Sequence, residues 1–156
     1  MTPRWLALGE APGRGIVITS WVTFVVVAVA VAPLALGAGS LETMVIIVCL
    51  ASFFAGFLLW IVAFFAAIAR TARGDDIAVA SWVFLSGSAP VAVRNNFMAA
   101  TGLTLVLSIV TTGVSPFIWL TNLLPLAYAA WWGARHGTFP ARATGAGGVA
   151  RGRPGK

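Results

Sequence analysis

Residues 44–69 read MVIIVCLASFFAGFLLWIVAFFAAIA, 26 positions without a charged side chain or a proline. A hydrocarbon core about 30 Å thick is crossed by roughly 20 residues of helix. This stretch therefore reads as a transmembrane helix, long enough to tilt or to project past the bilayer. Three more apolar stretches surround it, at 16–36, 97–114 and 117–133. Pro90 suits the first turn of a helix, with Ser88 as its cap, and this extends the third span to about 91–114.

Composition points the same way. The chain has 156 residues, of which 60% are hydrophobic and 9% charged, with a mean hydropathy of +0.96. Soluble domains carry about 25% charge, and disorder needs few apolar groups and a high net charge. The expectation is an all-α polytopic membrane protein of four transmembrane helices. Short links at 37–43 and 112–116 make two antiparallel hairpins, and the longer segment 70–96 joins them. No repeat relates the halves, so an inverted-repeat transporter gains no support.

Within the central segment, Asp75 or Asp76 caps a short helix over about 76–85, closed by Gly87. It is too short to span and is expected in the interface, with Trp82 at headgroup level. A membrane elbow is the plain reading, and a partner-docking surface that uses the Asp pair is the alternative. Trp131 and Trp132 are expected in one aromatic belt and Trp119 in the opposite one.

All ten basic residues fall in three places. These are the N-terminal tail 1–15 (Arg4, Arg14), the central segment (Arg70, Arg73, Arg94) and the tail 134–156 (Arg135, Arg142, Arg151, Arg153, Lys156). The short links carry none, so the positive-inside rule makes both termini cytoplasmic. A cleaved signal peptide ending near Ala35-Leu36-Gly37 is the competing reading of the first span. Its apolar run is longer than the 7–15 residues such peptides use. Nine arginines against one lysine, with abundant Ala and Gly, suggest a GC-rich bacterial genome. The Gly-, Ala- and Arg-rich tail is expected to be disordered and close to anionic lipids. A net charge of +6 raises nucleic acid as a partner, but the tail offers only Phe139 for stacking, so none is expected.

Chemistry is sparse. Cys49 and His136 are the only residues of their kinds, and the carboxylates are Glu10, Glu42, Asp75 and Asp76. No catalytic set, metal site or cofactor site is assembled from these. The apolar stretches at 16–36, 44–69, 97–114 and 117–133 contain no Asp, Glu, Lys, Arg or His, the groups that ion-coupled transporters and proton relays keep at membrane depth.

Packing patterns stand in their place. On the second span, Ser52, Gly56, Ala63 and Ala67 share one face with Cys49 at its margin, a small-residue seam for close helix contact. Phe53, Phe57, Trp60 and Phe64 run beside it as filler, or as a slot for a lipid or quinone headgroup. On the third span, Thr101, Thr104, Ser108, Thr111 and Ser115 recur at spacings of 3, 4, 3 and 4. Five hydroxyls on one face either bond within or between helices or line a solute path. On the fourth, Pro125 frees a carbonyl near Thr121, with Asn122 positioned to satisfy it or to pair with the hydroxyl stripe. A binding role at that kink is the other reading.

The segments Trp132-Gly133-Ala134-Arg135-His136-Gly137-Thr138-Phe139-Pro140 and Ser86-Gly87-Ser88-Ala89-Pro90 with Arg94 resemble parts of small uncharacterised four-pass inner-membrane proteins of actinobacteria. The resemblance covers about a tenth of the chain. It implies a bacterial inner-membrane protein and carries over no functional residue. The expected function is that of a non-enzymatic accessory or assembly subunit, packing against itself as a homo-oligomer or against a larger membrane complex. The alternative is an oligomeric passive channel or facilitator with a hydroxyl-lined path.

Overall fold

The computed structural model describes residues 8–142, and their regular structure is entirely helical. Arg4 and the part of the basic tail at 143–156 (Arg151, Arg153, Lys156) lie outside the described residues. Helix α1 spans Arg14–Ala35 and α2 spans Glu42–Ala72. A single turn, α3, covers Val79–Trp82, and α4 runs over Val91–Thr111. A 3₁₀ run at Pro116–Asn122 leads into α5, Leu123–His136. Three of these helices are long and apolar enough to cross a membrane: α1, α2 with the short turn before it, and α4.

Glycine geometry sets two of the helix ends. After α1, Gly37 takes φ 95°, and the Ala38 and Gly37 amides reach back to the Pro33 and Leu34 carbonyls. After α2, Gly74 takes φ 106°, and the Asp75 and Gly74 amides return to Arg70 and Thr71. Both are Schellman closures, whose left-handed residue glycine adopts without a Cβ penalty.

The fourth apolar stretch departs from a continuous helix. Its first third is a 3₁₀ run, and α5 begins only at Leu123, so Pro125 sits in the first helical turn. There its missing amide leaves no hydrogen bond unmade, and no mid-helix kink is needed. The expected helix over 76–85 contracts to α3. Ser81 Oγ donates to the Ala78 carbonyl at 2.8 Å and accepts the Ala78 amide at 3.2 Å. Leu85, at φ 57°, and Gly87, at φ 75°, then turn the chain away. Ser88 does not cap α4; its hydroxyl donates to the Ser81 carbonyl, and Pro90 occupies the cap position.

The first hairpin does not give the main packing, whereas α4 packs extensively on the 3₁₀ run and α5 that follow it. The chief partner of α2 is α5 with its 3₁₀ lead, while α1 packs chiefly on α4. One core joins Val17, Val93, Phe97, Ala129 and Trp132 from α1, α4 and α5. A second joins Val27, Val31, Leu34, Val45, Cys49 and Ile118 at the opposite end. The third puts Trp82 and Val83 between Ala63 and Ala67 of α2 and Ala130 and Ala134 of α5.

Trp82 and Trp132 are thus core residues, where headgroup positions were expected. The indole of Trp82 donates to the Ala130 carbonyl at 2.8 Å, and that of Trp132 to the Pro12 carbonyl at 2.8 Å. Burying the ring and satisfying its single donor inside the protein leaves neither indole anything to gain from the interface. Trp119 remains exposed, with its indole donating to Thr112 Oγ1 at 2.9 Å.

Candidate functional site

The charged chemistry of the described chain gathers where α2 and α5 end. Arg70, in the last turn of α2, donates from Nε to Asp75 Oδ2 at 2.6 Å. Its Nη1 donates to the Gly137 carbonyl at 2.8 Å and to the Ala134 carbonyl at 3.3 Å. The guanidinium also stacks over the Phe139 ring, 4.7 Å from its centroid. One side chain thereby ties the end of α2, the central segment and the free carbonyls ending α5.

The chain after α5 is docked as far as Arg142, so the tail expected to be disordered from 134 is ordered at its start. The Thr138 amide donates to the Ser88 carbonyl at 2.9 Å, and the Asp76 amide to Pro140 at 2.8 Å. The Arg142 amide closes on Gly74 at 2.6 Å, beside a single antiparallel bridge between Asp75 and Ala141. Asp75 is therefore spent on Arg70 and the backbone bridge, not on a helix cap.

Beside this knot lies an open groove of about 710 Å³, lined by Arg70, Arg73, Asp75, Trp131 and Arg135 among others. Arg135 lies over the Trp131 ring at 5.7 Å. His136 lies tilted against Trp132, with ring centroids 5.6 Å apart, and meets Gly13, whose left-handed backbone brings the chain against both rings. Burial, with the neighbouring Arg135 charge, holds the His136 imidazole below its ordinary value. Among the described residues no three His, Cys, Asp or Glu side chains come together as a metal set.

The hydroxyl stripe of α4 faces inward. Thr104 is 3% exposed and Ser108 0%, and Thr111 and Ser115 are buried as well. Thr104, Ser108 and Thr111 each donate to the carbonyl four residues back, at 2.8, 2.9 and 2.6 Å. Ser108 also accepts Asn122 Nδ2 at 2.8 Å, and Asn122 donates to the Trp119 carbonyl at 3.1 Å. Thr121, beside it, donates to Ile118 at 2.7 Å. The Thr101 and Ser115 hydroxyls and Asn122 Oδ1 are buried without a hydrogen-bond partner. Pro125, one turn on from Asn122, is buried against the bundle and apart from the stripe's hydrogen bonds.

The small-residue face of α2 divides. Gly56, Ala63 and Ala67 are buried, while Ser52 is half-buried. A Cβ at Gly56 would stand 2.9 Å from the Leu124 backbone, where the 3₁₀ run becomes α5. Gly133 of α5 makes a separate close approach, to α3: a Cβ there would run into the Trp82 carbonyl. Of the aromatic stripe, Trp60 and Phe64 meet Trp82, at centroid distances of 5.5 and 6.2 Å, while Phe57 is exposed.

Three contributors are not evident from local sequence. Asn96 is buried in α4 and accepts the Trp21 indole at 3.0 Å, a link between residues 75 positions apart. Arg70 and Phe139 meet only because the tail folds back, and no spacing rule connects positions so far apart. The adjacent turn signals Gly74 and Pro140 were the available hints. No family model, curated protein or solved structure matches this chain.

Proposed function

We propose that the chain is a four-pass, non-enzymatic protein of a bacterial inner membrane, acting as an accessory or assembly subunit that packs against itself or a larger complex. The observation that carries this reading is the burial of the hydroxyl stripe. Thr104, Ser108 and Thr111 turn their hydroxyls to their own helix and to the 3₁₀ run, away from the outer surface of the bundle. A facilitator whose path runs between copies needs those hydroxyls on its outer surface. What α1 and α2 present outward is apolar: Val22, Val25 and Val29 on one, Phe54, Leu58 and Phe65 on the other. Such surfaces contact lipid or other helices and offer no chemistry to a polar solute.

The fourth crossing is supported by length. Seven residues of 3₁₀ helix and fourteen of α-helix rise about 35 Å at roughly 2.0 and 1.5 Å each. The hydrocarbon core is about 30 Å. Orientation is supported by contacts among the arginine-bearing ends: Pro12 with Trp132, Arg70 with Gly137, and Ser88 with Thr138. These ends belong together, and the positive-inside rule assigns them to the cytoplasm.

Gentle extraction of the tagged protein from its native membrane, followed by native mass spectrometry, tests the function. A stoichiometric larger partner, or a defined homo-oligomer without solute flux, is the expected result. A homo-oligomer whose vesicles pass a small solute, with flux abolished by Thr104→Val and Ser108→Val while assembly survives, overturns it. A reporter that matures only in the periplasm, fused after Lys156, is expected to be inactive.

A further inference from the structure

Arg73 and Arg135 line the groove at the ends of α2 and α5, are exposed, and have no carboxylate partner among the described residues. We propose that this groove binds the phosphate-bearing headgroup of an anionic phospholipid, with Arg73 and Arg135 as its ligands. The inference rests on the four-pass reading, which sets this end of the bundle at the bilayer surface.

Electrostatics favour an anion even though two helices end here. A helix C-terminus carries partial negative charge on its unsatisfied carbonyls, which opposes anion binding. Arg70 removes most of that opposition, since its Nη1 holds the Ala134 and Gly137 carbonyls while its Nε pairs with Asp75. The Arg70 and Asp75 charges offset each other, leaving Arg73 and Arg135 as the uncompensated charges of the lining. Arg135 is held over the Trp131 face, a cation–π contact that costs the guanidinium none of its hydrogen-bond donors. Guanidinium groups suit phosphate because their donors form a fixed fork.

The remaining wall favours a lipid over a free phosphate. Ala66 and Ala69 of α2 face Trp131 and Ala134 of α5 across the groove. Ala66 and Trp131 stand one helical turn before Arg70 and Arg135, so in the four-pass reading the apolar part of the lining lies on the transmembrane side of the guanidiniums. An acyl chain fills such a lining, and inorganic phosphate makes no contact with it.

The test uses the full chain in a mild non-ionic detergent, titrated with phosphatidylglycerol or phosphatidylcholine of equal chain length and read by native mass spectrometry. The wild type is expected to retain one phosphatidylglycerol in preference to phosphatidylcholine. Arg73→Gln with Arg135→Gln is expected to lower that preference roughly 25-fold, about fivefold for each guanidinium near an anionic surface. Arg14→Gln with Arg94→Gln removes the same net charge at positions outside the groove lining and is expected to keep the preference. Equal loss in both double variants, or none in the first, overturns the site. Displacement of the retained lipid by inorganic phosphate assigns the groove to a free anion and overturns the lipid. An active periplasmic reporter after Lys156 marks failure of the four-pass reading instead, independently of lipid binding.

Discussion

Helices α2 and α5 lie against each other, yet they are built on opposite terms. The longer one, α2, is apolar on every face, and only five of its 31 residues are buried by protein. The shorter one, α5, opens on a 3₁₀ run, carries a proline in its first turn and ends on Arg135 and His136, yet eight of its 14 residues are buried. In water the more apolar helix occupies the core. Here the order is inverted, because lipid solvates α2's outer face as well as protein does and gives no premium for burying it. Close approach decides what lies inside, so Gly56, Ala63 and Ala67 form α2's inner face, with Leu124, Ala130 and Ala134 of α5 against it, while Gly133 admits the α3 backbone at Trp82.

The contrast predicts that Gly133→Val is the most damaging single change, costing at least about 3 kcal/mol in reversible unfolding from detergent micelles. Phe65→Ala on the lipid face of α2 is expected within about 0.5 kcal/mol of wild type. Were Phe65→Ala comparably costly, the outer face would be a protein interface already occupied in the micelle. Arg70→Leu comes next, at about 2 kcal/mol, because it leaves Asp75 and two helix-end carbonyls without their donor. Limited proteolysis should then cut within 137–142 sooner than in the wild type.

Asn122→Ala should cost about 1 kcal/mol, the scale of hydrogen bonds inside membrane helices. The double variant with Ser108→Ala should cost less than the sum of the two single variants, since both singles lose the same Asn122–Ser108 bond. The smallest effect concerns pH. The folded state lowers the His136 value below 6.5, so folding favours the neutral ring. That contribution is complete above the unfolded value and is lost as pH falls through the folded one. Thermal stability should therefore decline slightly on acidification below about 6.5, and His136→Gln should flatten the decline.

Long-range placement, more than helix content, separates what was legible from what was not. The apolar runs at 16–36 and 44–69 are visible because length and composition suffice to recognise a spanning helix. Extending the third span to 91 was legible from Pro90, although Ser88 bonds elsewhere. The inward aim of the hydroxyl stripe was readable only as one of two outcomes, since 3.6-residue periodicity shows that five hydroxyls share a face without showing what that face meets. Trp82 and Trp132 went to the interface on residue type, and both proved to be core. Their burial depends on Gly133 and Gly13 admitting them, and these lie far from Trp82 and Trp132 respectively along the chain.

By itself, the sequence determined that the chain is helical and that the runs at 16–36, 44–69 and 91–114 are long and apolar enough to cross a bilayer, and it placed Gly37 and Gly74 after the first two. Those properties are local: a run of apolar side chains and a residue free to take positive φ act whatever surrounds them. Only the tertiary structure decided that α2 pairs chiefly with α5, that Pro125 starts a helix without kinking one, and that Arg70 gathers Asp75, Gly137 and Phe139. Each of those depends on backbones meeting at close range, and in a nearly uniform apolar chain many pairings look alike until steric fit at a few glycines and satisfaction of a few polar groups select one.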